Sequence, residues 1–249
     1  MKRLLPFSLI TLLIAGWHVS ASLQTDALLP GPWAVVLAIV ELAQKGLLLK
    51  YVVASLFRVT WGYLLAVLLA IPCGILLGWY RRGEVAINPL IQVLRPISPL
   101  AWIPISILWF GVADEAAIFL IFLASFLPIT VTALNAIGNI PEVNVNAGRN
   151  FGLSERQLIM QVLYPAIAPQ LIVGLRIALG IAWLVVVAAE MIAVNSGLGF
   201  LIVDARNAGN RYDLVVAGMV MIGIIGLILD TGMKSLEKLK FLRWGYVES

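Results

Sequence analysis

Charge is scarce in this chain. Only 12% of its 249 residues are charged, where a soluble domain carries about 25%. Metal-binding and redox side chains are scarcer still: one cysteine, Cys73, and one histidine, His18. A disulfide within the chain and a Cys/His metal cluster are therefore both excluded. No G-x-x-x-x-G-K-[ST] occurs, so the chain has no P-loop with which to bind a nucleotide. What fills the chain instead is apolar: 61% of residues are hydrophobic and the mean hydropathy is +1.00. So much apolar surface has nowhere to go but lipid or another membrane subunit, which makes this an integral membrane protein.

A bilayer core takes about 20 mostly apolar residues per helix. On that measure the sequence predicts an all-α bundle of about six transmembrane helices. The candidate spans are Leu4–Ser20, Val59–Tyr80, Pro89–Val112, Ala116–Gly138, Pro169–Ala193 and Leu214–Thr231. The N-terminus, MKRLLPFSLITLLIAGWHVSA, has two readings. Its basic start and Val19-Ser20-Ala21 ending fit a secretory signal. In a polytopic chain the favoured reading is a retained first helix. Residues 21–58 are too mixed to span and are expected to lie outside, partly as an interfacial helix.

Basic residues orient the bundle. With Lys2 and Arg3 inside, Arg81, Arg82, Arg149, Arg156, Lys234, Lys238, Lys240 and Arg243 fall on the cytoplasmic side. Lys45, Lys50 and Arg58 then lie outside, against the general bias. This topology puts residues 139–166 and the tail, 232–249, in the cytoplasm. The whole chain, 1–249, is then one membrane domain.

One polar insert interrupts the apolar runs: PEVNVNAGRNFGLSERQLIMQVLYP, residues 141–165. Pro141 can open a short helix, and Gly152 can end it in a left-handed turn. Ser154 and Gln157 form a capping box for a second, amphipathic helix. Pro165 and Pro169 are expected to break that helix before the next span. The first helix has little to bury and projects from the bundle. Docking on a cytoplasmic partner and capping of the bundle are both open readings.

Three ionisable residues fall within or beside the spans: Arg95, Arg176 and Glu190. Charges there are expensive and usually face the interior. Arg176 has two readings, an anion in the pathway or a carboxylate on a neighbouring helix. For Arg95 the prolines that follow it, Pro96, Pro99 and Pro104, favour a structural role in a bent helix lining the interior. No Ser/His/Asp or paired-carboxylate arrangement suggests catalysis in the membrane. The segment NSGLGFLI reads as a turn and short helix on the outer face, and Gly74 and Gly78 permit close helix contact.

The insert resembles the cytoplasmic loop signature of ATP-binding-cassette importer permeases: EAA, three residues, Gly, nine residues, I-x-L-P. Ala147, Gly152, Val162 and Pro165 fall in register, while Asn146, Gly148 and Tyr164 replace Glu, Ala and Leu. The segments LLPGPWAVV, LRPISPLAWIPISILWFGVADEAAIFLI and GLRIALGIAWLVVVAAEMIAVNSGLGFLI are similar to the nitrate, sulfonate, taurine and bicarbonate subfamily.

That resemblance implies a type I importer fold and a non-catalytic permease in a bacterial inner membrane. It implies a second permease copy, as a homodimer, and cytoplasmic ATPase subunits that bind ATP and Mg. It also implies a periplasmic or lipid-anchored solute-binding protein, and no nucleic-acid partner. Asn146, Ala147, Gly148, Arg149, Gly152, Val162 and Pro165 would form the coupling loop, and the solute would be a small anion. A heterocyclic vitamin precursor is the alternative solute, and an ion-coupled secondary transporter is the alternative class.

Overall fold

The computed structural model describes residues 5–23, 29–207 and 209–237, and it leaves the side chains of 5–7 in α1 and 81–84 in α4 undescribed. Lys2, Arg3, Lys238, Lys240 and Arg243, which the orientation argument uses, lie outside the described residues. Among the described residues the secondary structure is helical. In chain order the helices are α1 (Leu5–Leu23), α2 (Pro32–Gln44), α3 (Leu47–Trp79), α4 (Arg81–Leu94), α5 (Ile103–Phe110), α6 (Asp114–Gly138), α7 (Glu142–Asn150), α8 (Glu155–Leu158), α9 (Tyr164–Glu190), α10 (Leu198–Asn207) and α11 (Tyr212–Leu236).

The core is the trio α3, α6 and α9, with α11 against α9 and α10 tucked beneath it. α3 and α6 share the longest seam, and glycines set its closeness. A Cβ at Gly74 would lie 2.5 Å from the Ala133 Cβ and 2.6 Å from the Thr130 carbonyl oxygen. At Gly62 it would meet Ile121 at 2.7 Å, and at Gly78 Ile137 at 2.9 Å. In lipid no hydrophobic force drives helices together, so backbone approach of this kind supplies much of the attraction. Gly74→Ala is expected to force the seam apart and lower stability by about 1–3 kcal/mol. A detergent melting curve no lower than that of the parent would contradict it.

Among the described residues four helices are long and apolar enough to cross a membrane: Leu47–Trp79, Asp114–Gly138, the continuous helix Glu155–Glu190, and Tyr212–Leu236. Three sequence expectations change. The second span begins at Leu47, not Val59, because the first turns of α3 pack against α2 and α10 and so need not be as apolar as a lipid-facing segment. Residues 47–58 thus belong to the same continuous helix as the apolar run that follows them. The span expected at Pro89–Val112 is two helical pieces, Val85–Leu94 and Pro99–Phe110, set at 81° to each other. Pro96 and Pro99 remove backbone donors at the break. The expected first span is α1, whose described apolar stretch Ser8–Leu23 is shorter than the others.

The third change concerns Pro165 and Pro169, which do not break the helix. Between α8 and α9 lies a five-residue π segment, Ile159–Leu163, and the helix continues through it. The wider π turn takes up the missing Pro165 donor and the clash with the carbonyl four residues earlier.

Candidate functional site

The polar insert lies at one end of the bundle, where Leu158, Leu163, Ile137 and Ile75 form a small core of their own. α7 ends in a Schellman turn. The Gly152 amide donates to the Arg149 carbonyl at 2.9 Å, and the Leu153 amide to the Gly148 carbonyl at 3.2 Å. Gly152 has φ +77°, which a side chain would strain. Ser154 and Gln157 make both bonds of a capping box at the start of α8. Gly148 is the buried residue of α7, and a Cβ there would meet Val162 at 3.3 Å and Leu153 and Leu158 at 3.4 Å. The glycine where the loop signature has alanine therefore lets α7 fold tightly back on the π segment.

The rest of α7 faces outward. Asn146, Ala147 and Arg149 are exposed, Val143 is 75% exposed, and Phe151 just past the helix is 88% exposed. The Arg149 guanidinium sits 5.8 Å from the Trp79 ring centroid, which ties the loop to the end of α3, and 3.6 Å from Glu155. A groove of about 640 Å³ runs between Trp79, Tyr80, Glu142, Asn146, Arg149 and Leu163. Val162 is half-buried, while Pro165 lies in the first turn of α9.

At the opposite end, about 30 Å along α3 from Trp79, a buried ion cluster closes the bundle. Arg58 Nη1 donates to Glu190 Oε1 at 2.7 Å and to the Ser196 carbonyl at 2.7 Å. Its Nε and Nη2 donate to Asp114 Oδ1 at 2.9 and 2.7 Å, and Nη2 also reaches Ser196 Oγ. Glu190 Oε2 accepts from Ser55 Oγ and from the Gly199 amide, each at 2.9 Å. The first turn of α10 thus donates to the carboxylate, as helix N-termini favour. The cluster joins α3, α6, α9 and α10.

Sequence reading found Glu190 but missed Arg58, Ser55, Asp114 and Ser196. Arg58 was placed outside because it precedes the most apolar part of its span. A buried glutamate needs a cation, and that requirement was the available signal. Nearby, Glu41 of α2 bonds Arg211 at 2.7 Å and Lys45 at 2.6 Å. Arg211 first, and Lys45 after it, hold its carboxyl below the usual glutamate range.

Arg176 is doubly paired. Its Nε and Nη2 donate to the two oxygens of Asp230 at 2.5 and 2.7 Å, and its Nη1 to Glu237 at 3.2 Å. Arg95 lies at the bend after α4, beside a cleft of about 680 Å³ between α4, the short helical turn Pro99–Trp102, α6 and α9. Pro99, Trp102, Phe126, Thr132 and Ile181 are among its walls. The three charged residues singled out in the sequence therefore lie apart, and only Arg95 lines the cleft.

A multi-pass helical bundle with a broken helix along a cleft, and one ordered polar loop at a single end, has the build of a transport subunit. The chain belongs to the family described as binding-protein-dependent transport system inner membrane component, whose model matches residues 66–240. It is an ABC importer permease. A putative ABC transporter permease protein of Methanocaldococcus jannaschii is 38% identical over 98% of this chain and 92% of its own. The taurine transport system permease protein of Escherichia coli is 34% identical over 92% of this chain and 86% of its own. The nitrate import permease protein of Synechococcus elongatus is 38% identical, with 92% and 87% covered. In fold the chain is similar to the inward-facing MetNI methionine ABC transporter, with a TM-score of 0.68 at 19% identity over 76% of this chain and 94% of that one.

Proposed function

We propose that α7 and its Gly152 turn dock on a cytoplasmic ATPase subunit, which binds ATP and Mg and drives this permease. Two copies pair in the bacterial plasma membrane. A binding protein delivers the solute to the end that carries the ion cluster, and the solute passes along the cleft beside the broken helix. The permease itself carries out no chemistry. The taurine and nitrate relatives are named for anions, which supports a small anion as the solute.

One observation carries the docking reading. Phe151 is 88% exposed within the polar insert, which the proposed topology puts in the cytoplasm. A ring left in water next to a short projecting helix fits an anchor for a partner pocket, since aromatic side chains dominate binding energy at interfaces. Phe151→Asp is expected to leave membrane levels unchanged and to weaken ATPase retention by at least about tenfold, while Phe151→Leu retains most of it. Co-purification with a tagged ATPase measures this. Full retention by Phe151→Asp would reduce the loop to a cap on the bundle, and uptake that persists without the ATPase would remove the importer reading.

A further inference from the structure

The three charged residues near the pathway differ in what meets them. Arg176 is neutralised by two carboxylates, and Glu190 by Arg58. The Arg95 side chain makes no hydrogen bond or ion pair among the described residues, and it is the one charged group among those lining the cleft. The hydroxyl of Thr132, another polar group there, already donates to the Pro128 carbonyl at 2.8 Å. The remaining walls are mostly apolar, with Trp102, Phe122 and Phe126 supplying aromatic faces. The guanidinium is exposed beside these walls and has no protein counter-ion among the described residues. Its planar fork of donors matches the paired oxygens of a carboxylate or sulfonate.

We propose that Arg95 is the counter-charge for the solute in transit. It holds the oxyanion group of a small organic anion whose apolar part lies against Trp102, Phe122 and Phe126. The proposal rests on the importer reading above; in the sequence Arg95, Arg176 and Glu190 are all possible pathway residues, with the structural reading strongest for Arg95. Arg95 also ends α4, where a cation favours the helix dipole. That purely structural role predicts a different result in the test.

The probe is a cysteine on the same cleft, Ile177→Cys, in a Cys73→Ser background of the assembled permease–ATPase complex. Ile177 is exposed and lines the cleft. Its modification rate is measured with the anionic sulfonatoethyl methanethiosulfonate and with the cationic trimethylammonioethyl analogue. Arg95→Gln is expected to lower the anionic-to-cationic rate ratio at least about fivefold, and Arg95→Lys to keep most of it. An unchanged ratio in Arg95→Gln overturns the proposal and leaves Arg95 as an end to α4.

Uptake of taurine, ethanesulfonate and nitrate by cells carrying the complete transporter gives the second reading. A raised KM for an organic sulfonate in Arg95→Gln, at equal membrane levels, supports the proposal. Uptake of nitrate alone overturns the organic-anion assignment. Uptake without the ATPase sinks the importer reading, whereas the labelling ratio decides Arg95 by itself.

Discussion

Gly152→Val is expected to insert into the membrane at normal levels and yet lose its ATPase partner, or hydrolyse ATP without uptake. Gly152 has φ +77°, and its amide and that of Leu153 close the Schellman turn. A β-branched residue is an outlier at positive φ. The turn must open, and α7 leaves the direction that Gly148 and Val162 set. No membrane helix contacts the substituted position: a Cβ at Gly152 would meet nothing within 4 Å. The defect is therefore one of aim and not of packing. Membrane level, ATPase co-purification and uptake measured together would show it, and normal values for all three would refute it.

Glu190→Ala is expected to fail earlier, at assembly. The substitution leaves Arg58 buried without its close partner, and Ser55 and the Gly199 amide lose an acceptor. Breaking one side of a buried pair costs about 3–5 kcal/mol, whereas replacing both sides by apolar residues is often neutral. Asp114 remains beside Arg58 but is half-exposed and offsets only part of the loss. Glu190→Ala should therefore accumulate poorly and melt early in detergent. The double substitution Arg58→Met with Glu190→Leu should recover much of the stability. If Glu190→Ala melts with the parent, the cluster holds nothing together.

The fold was legible in the sequence where lipid does the selecting. The spans centred on α6, α9 and α11 follow from runs of apolar residues, because a lipid-facing helix has to be apolar. The start of α3 was not legible, because one side of Leu47–Arg58 meets protein and a protein neighbour tolerates Ser55 and Arg58 there. The loop could be read in detail: proline, glycine and Ser-x-x-Gln each fix a local conformation without reference to the rest of the chain. The ion cluster could not, since Arg58 and Glu190 are far apart in sequence and nothing local links them. Arg95 and Arg176 look alike as letters, and only the positions of Asp230 and Glu237 separate them.

The π segment at Ile159–Leu163 sets an angular offset in the longest helix of the molecule. An α-helix turns about 100° per residue, and a π turn houses one residue more than an α turn does. The residues ahead of it are thus rotated relative to α9 by about one residue's worth of azimuth. That phase is what lets Leu158 and Leu163 bury on one side while Tyr164 faces outward and Ser154 starts its helix in the open. α7 hangs from this rotated stub. Its compass bearing relative to the membrane helices is therefore written in five residues, four of them apolar, that take no part in the loop's capping bonds and do not line the cleft.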